Sequence, residues 1–385
     1  MRANQQTVLP IKILVFAHTP PPHHGQSVMV KLMLEALKWD ERFIVHHVNA
    51  KVSDDMQDIG SFRAVKFLRL MKFVFEALRI RLKHGPMLFY YVPAPVKKSA
   101  ILRDWIVMAI CRPFFPNFVH HWHSCGLGEW TRNGSGFWQK WTWLSLRNAA
   151  LSIVITDHNR KDAEAVESRK IVVVPNGTPD PCPDFSKSLE PNRQLRRHKQ
   201  TRRYLFLAHC TEAKGLFDTI EAFALAKRRA WVDGQRRLEL SIAGHFVSSH
   251  EKQRFLERIA CADLQQTDGA CSVTYVGFLK GKEKDEAFRA HDGLIYPSHW
   301  ESFGLTVVEA AAYGLPSVVS DHPNLLSLLP EDLRFAAPIK NTMALSQAIL
   351  KSSEFDAFAK LRRFFLEHYQ ASIFSSRITE AIYSA

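Results

Sequence analysis

The chain has 385 residues, of which 46% are hydrophobic, and its 51 Lys and Arg against 38 Asp and Glu give a formal net charge of +13. This length exceeds what one core normally serves and the apolar share excludes extensive disorder, so we expect two globular domains. We expect neither a membrane-spanning segment nor a signal peptide, because no apolar run approaches roughly 20 residues and no cleavage pattern follows the first one. The six cysteines form no Cys-x-x-Cys pair, which disfavours disulfides and zinc and favours a reducing, cytoplasmic location.

The first predicted elements are a strand at residues 11–16, a proline-rich loop at 19–24, and a helix from 28 to 37. A strand, a glycine-containing loop and a helix in this order are typical of a doubly wound α/β domain. Ligands of such domains bind beyond the carboxyl ends of the strands. We therefore expect Gly25, at the end of this loop, to lie near a bound ligand.

Residues 61–85 alternate basic side chains with aromatic and aliphatic ones, which predicts a basic amphipathic helix. Such a helix can lie on an anionic membrane surface, where each Lys or Arg contributes on the order of 1 kcal/mol. The alternative is a surface helix with a solvated basic face. We favour membrane contact because of the aromatic content. The basic residues are Arg63, Lys66, Arg69, Lys72, Arg79, Arg81 and Lys83.

A second basic cluster precedes the strand predicted at Tyr204, and we interpret residues 179–203 as a flexible, solvated linker between the domains. Nucleic-acid binding is the competing interpretation. We expect no nucleic-acid partner, because no aromatics interleave with the cluster and no nucleic-acid-binding motif follows. The cluster comprises Lys187, Arg193, Arg196, Arg197, Lys199, Arg202 and Arg203.

The second half of the chain repeats the order of strand, glycine loop and helix, with a strand at 204–207 and a helix at 217–226. Lys214 and Gly215 lie in the loop between them, where an ammonium group can neutralise phosphate. We predict an N-terminal domain at 1–178, the linker, a C-terminal domain at 204–342, and final helices at 343–385 that partly pack back on the first domain. These last helices contain an apolar pattern, namely Phe358, Leu361, Phe364, Phe365 and Tyr369.

Two carboxylates, Glu301 and Glu309, are separated by seven residues around Gly304. The pattern predicts a strand at 293–296, a loop at 297–303 and a helix from 305 to 313. The backbone N–H groups of Leu305 and Thr306 at its positive end suit a phosphate. The carboxylates on either side of this phosphate position can accept hydrogen bonds from hydroxyl groups, so the segment fits a nucleotide sugar. The alternative is two solvated glutamates.

The segment from Pro297 to Pro316 resembles the signature of the retaining family-4 glycosyltransferases with the GT-B fold, of the bacterial polysaccharide type. The signature is Pro-Ser, Glu, Phe-Gly, Glu and Gly-x-Pro, and it corresponds to residues 297–298, 301, 303–304, 309 and 314–316. Further resemblance lies at 171–178, 205–215, 241–244 and 273–277. It implies two Rossmann-like domains that face each other across a cleft, with a C-terminal helix crossing back.

The resemblance also implies an activity. A sugar would move from a nucleoside diphosphate, UDP favoured and GDP possible, to a hydroxyl of a saccharide or lipid-linked saccharide, with retention of configuration. We expect no metal and no cofactor besides this donor, since the chain contains no Asp-x-Asp. The alternatives are a GT-B sugar-nucleotide 2-epimerase, whose motifs are missing, and a non-catalytic membrane-associated partner, which would have lost its carboxylates.

Site residues follow from the resemblance position by position. His123 ends the strand predicted from Phe118 and is our choice for the histidine near the transferred sugar, with His121 on the same strand face as the alternative. His209 stands where the family commonly has arginine, which puts that phosphate contact in doubt. Phe278 lies by the expected base pocket and could equally belong to the core. The predicted catalytic residues are Glu301, His123 and Lys214; the predicted donor-binding residues are Glu309, Gly25, His209, Gly215, Phe278, Phe303, Gly304, Leu305 and Thr306.

Overall fold

A computed structural model describes residues 9–21, 25–51, 64–197, 199–234, 237–261, 264 and 272–385. The chain divides into two compact units, one formed by Met1–Gly177 with Ala371–Ala385 and the other by Thr178–Gln370. Within the described residues, each unit contains one six-stranded parallel sheet. The prediction of two doubly wound α/β domains is therefore confirmed.

The sheet of the first unit has the strand order β2-β1-β3-β4-β5-β6. Its strands are β1 (Ile11–Phe16), β2 (Phe43–Val48), β3 (Leu88–Tyr91), β4 (Phe118–Trp122), β5 (Leu151–Val154) and β6 (Ile171–Val173). The helices between them are α1 (Gly25–Trp39), α2 (Ala64–His84), α3 (Lys98–Cys111), α4 (Leu127–Arg132), α5 (Phe137–Leu146) and α6 (Arg160–Ala165).

Helices cover both faces of this sheet, which is why the central strands β3 and β4 are buried at every position. On one face α1 packs through Val30 and Met33 against Ile13 and Val15. On the other face α2, α3 and α5 bury their inner sides over β1, β3 and β4. The outer sides of α2, α3 and α5 therefore point away from the same face of the sheet.

The sheet of the second unit has the order β12-β11-β10-β7-β8-β9. Its strands are β7 (Thr201–Leu207), β8 (Arg237–Ala243), β9 (Val273–Gly277), β10 (Gly293–Tyr296), β11 (Ser317–Ser320) and β12 (Arg334–Ala337). Its helices are α7 (Glu190–Arg197), α8 (Leu216–Gly234), α9 (Ser249–Ile259), α10 (Gly281–Ala290), α11 (Leu305–Ala312), α12 (Pro323–Leu326), α13 (Thr342–Ser352) and α14 (Phe358–His368). The strand order reverses between β7 and β10, and such a switch point opens a crevice at the carboxyl edge of the sheet.

Residues 179–203 are not the flexible, solvated linker that we predicted. They form a π-helical turn at Phe185–Leu189, the helix α7 and the start of β7, all within the second unit. Arg193 is 2% exposed and its guanidinium donates to the carbonyl oxygens of Phe288, His291 and Tyr313 at 2.7 to 2.9 Å. Burial lowers the pKa of Arg193 to about 9. The prediction failed because a guanidinium, with five donors, can satisfy the orphan carbonyls at helix ends instead of facing water.

The C-terminal helices are shared between the two units. The helices α13 and α14 belong to the second unit, where α14 packs Phe358, Leu361 and Phe365 into the core. Tyr369 also stays there and donates its hydroxyl to the carbonyl oxygen of Leu328 at 2.6 Å. The part of the segment that belongs to the first unit is α15 (Ala371–Tyr383), which joins the core beside α1.

The described helices include none with the length and apolar character needed to cross a bilayer.

Candidate active site

The predicted donor residues of the second unit lie at the carboxyl edge of its sheet. The loop after β7 carries Lys214 and Gly215, and the loop after β10 carries Glu301 and Gly304. Because β7 and β10 are neighbours at the switch point, these two loops start side by side.

The structure joins Lys214 and Glu301 into one charged centre. The Nζ atom of Lys214 lies 2.6 Å from Oε2 of Glu301 and also donates to the carbonyl oxygen of Trp300 at 3.3 Å. The hydroxyl of Tyr296 donates to the same Glu301 oxygen at 2.6 Å. Both charged side chains are partly exposed, at 24% and 14%. A phosphate that binds Lys214 must therefore compete with Glu301 for its ammonium group.

Tyr296 was missed by the sequence interpretation, which treated it only as the end of a buried strand. Its position, last in β10 and directly before the Pro-Ser pair, was the available signal, because side chains at the carboxyl ends of parallel strands face the ligand edge. Burial raises the pKa of Tyr296 well above its ordinary value. The hydroxyl therefore stays protonated and acts as a donor to Glu301.

Gly215 is required where the two loops touch. Its φ of +74° is left-handed, and a Cβ built there would lie 2.4 Å from the carbonyl oxygen of Pro297. Glycine tolerates this conformation and leaves room for the approach. The contact between the backbones at Gly215 and Pro297 is what brings Lys214 within reach of Glu301.

The helix α11 begins at Leu305, directly after this centre, and is preceded by Gly304, whose φ is +100°. The backbone N–H groups of Leu305 and Thr306 lie in its first turn, where an α-helix supplies no acceptor and its dipole is positive. The ring of Phe303, which we predicted to bind the donor, is instead buried at 4% exposure and packs edge-on against Tyr369. Its side chain anchors the loop, and the sequence motif did not distinguish that role from ligand contact.

Glu309 lies in the second turn of α11 and is paired with a residue that sequence reasoning missed. The Nζ atom of Lys284, on α10, lies 2.6 Å from its Oε1. Both side chains are partly exposed. No motif singles out Lys284 in a helix rich in charged residues, so only packing reveals this partner.

An aromatic ledge lies at the ends of β8 and β9. The ring of Phe278 stacks on that of His245 with centroids 4.2 Å apart and 15° between the planes. Phe278 is 53% exposed, which excludes the alternative that it belongs to the core. His209 is exposed at the end of β7; desolvation and the nearby charges of Lys214 and His245 lower its pKa, so it is neutral at pH 7.

In the first unit, His123 and His121 occupy different environments. His121 is fully buried, its Nδ1 is 2.6 Å from the hydroxyl of Tyr90, and burial lowers its pKa well below the ordinary value. His123 follows β4 and is only partly buried, with its ring 4.0 Å from that of His121. His123 is therefore the more accessible of the two imidazoles, while His121 is enclosed in the core.

Gly25 begins α1 beyond the carboxyl end of β1, as predicted. The preceding residues Pro22, His23 and His24 lie outside the described part of the chain, and so does Arg63.

Residues 189–363 match a family described as glycosyl transferases group 1. Mannosylfructose-phosphate synthase of Agrobacterium fabrum is 25% identical over 181 residues, 46% of this chain and 36% of that protein. O-antigen chain mannosyltransferase B of Escherichia coli is 29% identical over 92 residues, 23% of each chain. The chain thus covers well under two thirds of the length of these curated relatives.

A solved structure matches over nearly the whole chain. Anabaena Alr3699/HepE, in complex with UDP and glucose, has a TM-score of 0.66 at 17% identity, and the match covers 97% of this chain and 100% of that one. At this identity the likeness shows the fold alone, which is GT-B, with two doubly wound domains. Over residues 189–363, less than half of its length, the chain is thus similar to the glycosyl transferases group 1 family.

Proposed function

We propose that this protein is a retaining glycosyltransferase that moves a sugar from a nucleoside diphosphate to a hydroxyl of a saccharide or lipid-linked saccharide in surface polysaccharide assembly. The observation that carries the proposal is the pairing of Lys214 with Glu301 beside the N-terminus of α11. UDP is the favoured nucleotide, since the structure of HepE holds UDP and glucose, and GDP is the alternative.

In this proposal the cation of Lys214 and the N–H groups of Leu305 and Thr306 stabilise the diphosphate as its bond to the sugar breaks. Glu301 accepts hydrogen bonds from hydroxyls of the transferred sugar, and Glu309 accepts them from the ribose. The ledge of Phe278 and His245 offers a flat apolar surface for the base.

The acceptor hydroxyl would attack the oxocarbenium-like sugar on the face from which the diphosphate departs. A leaving phosphate oxygen takes the acceptor proton, which balances the reaction without a covalent enzyme intermediate. His123 is the proposed contact of the first unit with the transferred sugar. No metal takes part in this scheme, because Lys214 and the helix N-terminus supply the positive charge.

The test combines nucleotide binding with turnover. Calorimetry with UDP, GDP, ADP and dTDP should identify one preferred nucleoside diphosphate, and the matching sugar donor should release it during turnover. Lys214→Ala should lower kcat by at least roughly 100-fold, the scale for losing one preorganised charge contact. Lys282→Ala removes the same charge from a side chain that is 89% exposed on α10 and serves as the matched control. Failure of all four nucleotides to bind, or equal kcat for the two variants, would refute the proposal.

We also propose that the first unit contacts an anionic membrane, at the cytoplasmic face of the plasma membrane. The outer side of α2 carries a stripe of apolar and positively charged residues at helical spacing. Its exposed members are Val65, Leu68, Lys72, Phe75, Arg79, Leu82 and Lys83, with the carboxylate of Glu76 among them. On the same face of the sheet, α5 exposes Phe137 and Trp141. Lys66, which we counted among the surface charges, is only 8% exposed and does not contribute to this stripe.

Vesicle co-sedimentation at two salt concentrations tests this contact. Lys72→Gln with Arg79→Gln should remove much of the salt-dependent binding to anionic vesicles, because screening acts on the charge contribution. Lys31→Gln with Lys38→Gln removes the same charge from α1, on the opposite face of the sheet, and should leave binding unchanged. Equal binding of wild type to neutral and anionic vesicles would contradict the proposal.

A further inference from the structure

We propose that His299 and Asp218 form a positioning pair, here called the His299–Asp218 bridge, that holds the Glu301 loop against the Lys214 loop. The inference rests on the proposed function, since it concerns the same donor site. The family signature assigns no role to His299, which stands between the Pro-Ser pair and Glu301.

His299 forms two hydrogen bonds with other elements of the second unit. Its backbone N–H donates to the carbonyl oxygen of Ala213 at 2.9 Å. Its ring Nε2 forms a hydrogen bond with Oδ2 of Asp218. A carboxylate oxygen accepts, so Nε2 carries the proton. The two side chains are partly buried, at 16% and 23% exposure, which limits the access of water to the bond.

The two attachments differ in what they fix. Ala213 belongs to the loop after β7, so the backbone bond ties one loop to another. Asp218 lies in the first turn of α8, where an acidic group is also favoured by the helix dipole. The side-chain bond therefore ties the Glu301 loop to a rigid helix, and sites held by rigid elements keep their geometry better than sites held by loops alone.

The bridge lies in the middle of the contact between the loops. Two residues before His299, the carbonyl of Pro297 packs against Gly215. Directly after it, the carbonyl of Trp300 accepts from Lys214 at 3.3 Å, and Glu301 pairs with the same ammonium. Residues 297–301 thus contact the loop at 213–215 along their whole length. His299 is the residue among them whose side chain bonds to α8.

The ring of His299 bonds Asp218 rather than Lys214 or Glu301, so its role is positioning and not catalysis. Without the side-chain bond, Glu301 and Lys214 lose part of the support that sets their separation. A displacement of about 1 Å in a catalytic group can cost on the order of 100-fold in rate. We therefore expect loss of the bridge to lower kcat for the donor more than it raises KM.

The experiment compares His299→Ala, His299→Gln and Asp218→Ala with wild type. Glutamine places an amide donor near the position of Nε2 and should restore the bond, whereas alanine removes it. Asp218→Ala breaks the same bond without altering the loop that carries Glu301. The first readout is hydrogen exchange of the ligand-free protein at the amides of Lys214, Gly215 and His299. The second is the separation of kcat from KM for the donor.

Both alanine variants should speed exchange in the two loops by at least about tenfold and lower kcat by roughly 10- to 100-fold, and His299→Gln should recover most of both losses. Wild-type exchange in both alanine variants, or a His299→Gln protein no better than His299→Ala, would overturn the bridge. The exchange measurement needs no donor. A wild-type protein that binds no nucleotide sugar would refute the proposed function while the exchange result still decides the bridge.

Discussion

Replacing Gly215 by alanine should damage the donor site far more than the same change at Gly277. The two glycines have nearly equal left-handed conformations, with φ of +74° and +79°. They differ in what surrounds the new methyl group. At Gly215 it would lie 2.4 Å from the carbonyl oxygen of Pro297. At Gly277 no other atom of the described chain, apart from the neighbouring residues, lies within 4 Å.

The conformational cost is common to both variants, about 1–2 kcal/mol for a non-glycine residue in the left-handed region. Gly215→Ala has a further cost, because the overlap between the new methyl group and the carbonyl oxygen of Pro297 must be relieved. Since Cβ contacts below 3.0 Å are essentially not seen in proteins, Pro297 must move by at least 0.6 Å from its 2.4 Å separation. Overpacking of this kind typically costs about 1–3 kcal/mol. We expect Gly215→Ala to lose about 2–5 kcal/mol of unfolding free energy and Gly277→Ala about 1–2 kcal/mol.

The displacement also has a functional consequence. Pro297 begins the loop that carries Glu301, so moving it separates Glu301 from Lys214 and should lower kcat by roughly 10- to 100-fold in Gly215→Ala. Urea unfolding followed by far-UV circular dichroism, together with donor turnover, measures both effects. Equal loss of stability in the two variants, or wild-type turnover in Gly215→Ala, would show that the Gly215–Pro297 contact does not organise the site.

Three further predictions concern single side chains. Glu309→Ala should weaken UDP binding by roughly 10- to 100-fold, the value of a hydrogen bond to a charged group, whereas Glu301→Ala should chiefly lower kcat; unchanged UDP affinity in calorimetry would remove Glu309 from the ribose site. His209→Arg should strengthen inhibition by the product nucleotide, because it replaces an imidazole of lowered pKa with a permanent cation, and an unchanged inhibition constant would mean that this position does not face phosphate. Burial and the charge of Arg112 lower the pKa of His120 to about 3, so below about pH 6.5 the unfolded chain binds a proton that the folded chain does not. Stability should therefore fall by about 2 kcal/mol for this group between pH 7 and pH 5, and urea unfolding of His120→Leu should lack that loss; equal pH dependence in both proteins would contradict the assignment.

The fold could be predicted from the sequence because its signals are local. The apolar runs at β1, β7 and β10, each followed by a glycine-containing loop and a helix, indicate doubly wound domains without any knowledge of distant contacts. The residues around Glu301 and Glu309 likewise lie within one strand, loop and helix, so their local order was readable.

The errors arose where the environment of a side chain, rather than its type, decided the outcome. Charge alone suggested that Arg193 and Lys66 are solvated, yet both are buried. A guanidinium satisfied by helix-end carbonyls and an ammonium group on a long aliphatic stem can both leave the surface. The apolar pattern of α14 predicted burial correctly but could not tell which of the two units would receive it.

The sequence by itself determined which residues carry charge and where the chain can turn. Tertiary structure decided which of them meet. Lys214 and Glu301 are 87 positions apart, Asp218 and His299 are 81 apart, and Lys284 and Glu309 are 25 apart. Such pairs depend on the order of strands in the sheet and on the close contact of two loop backbones. Both are set by packing across the whole domain, which no local pattern encodes.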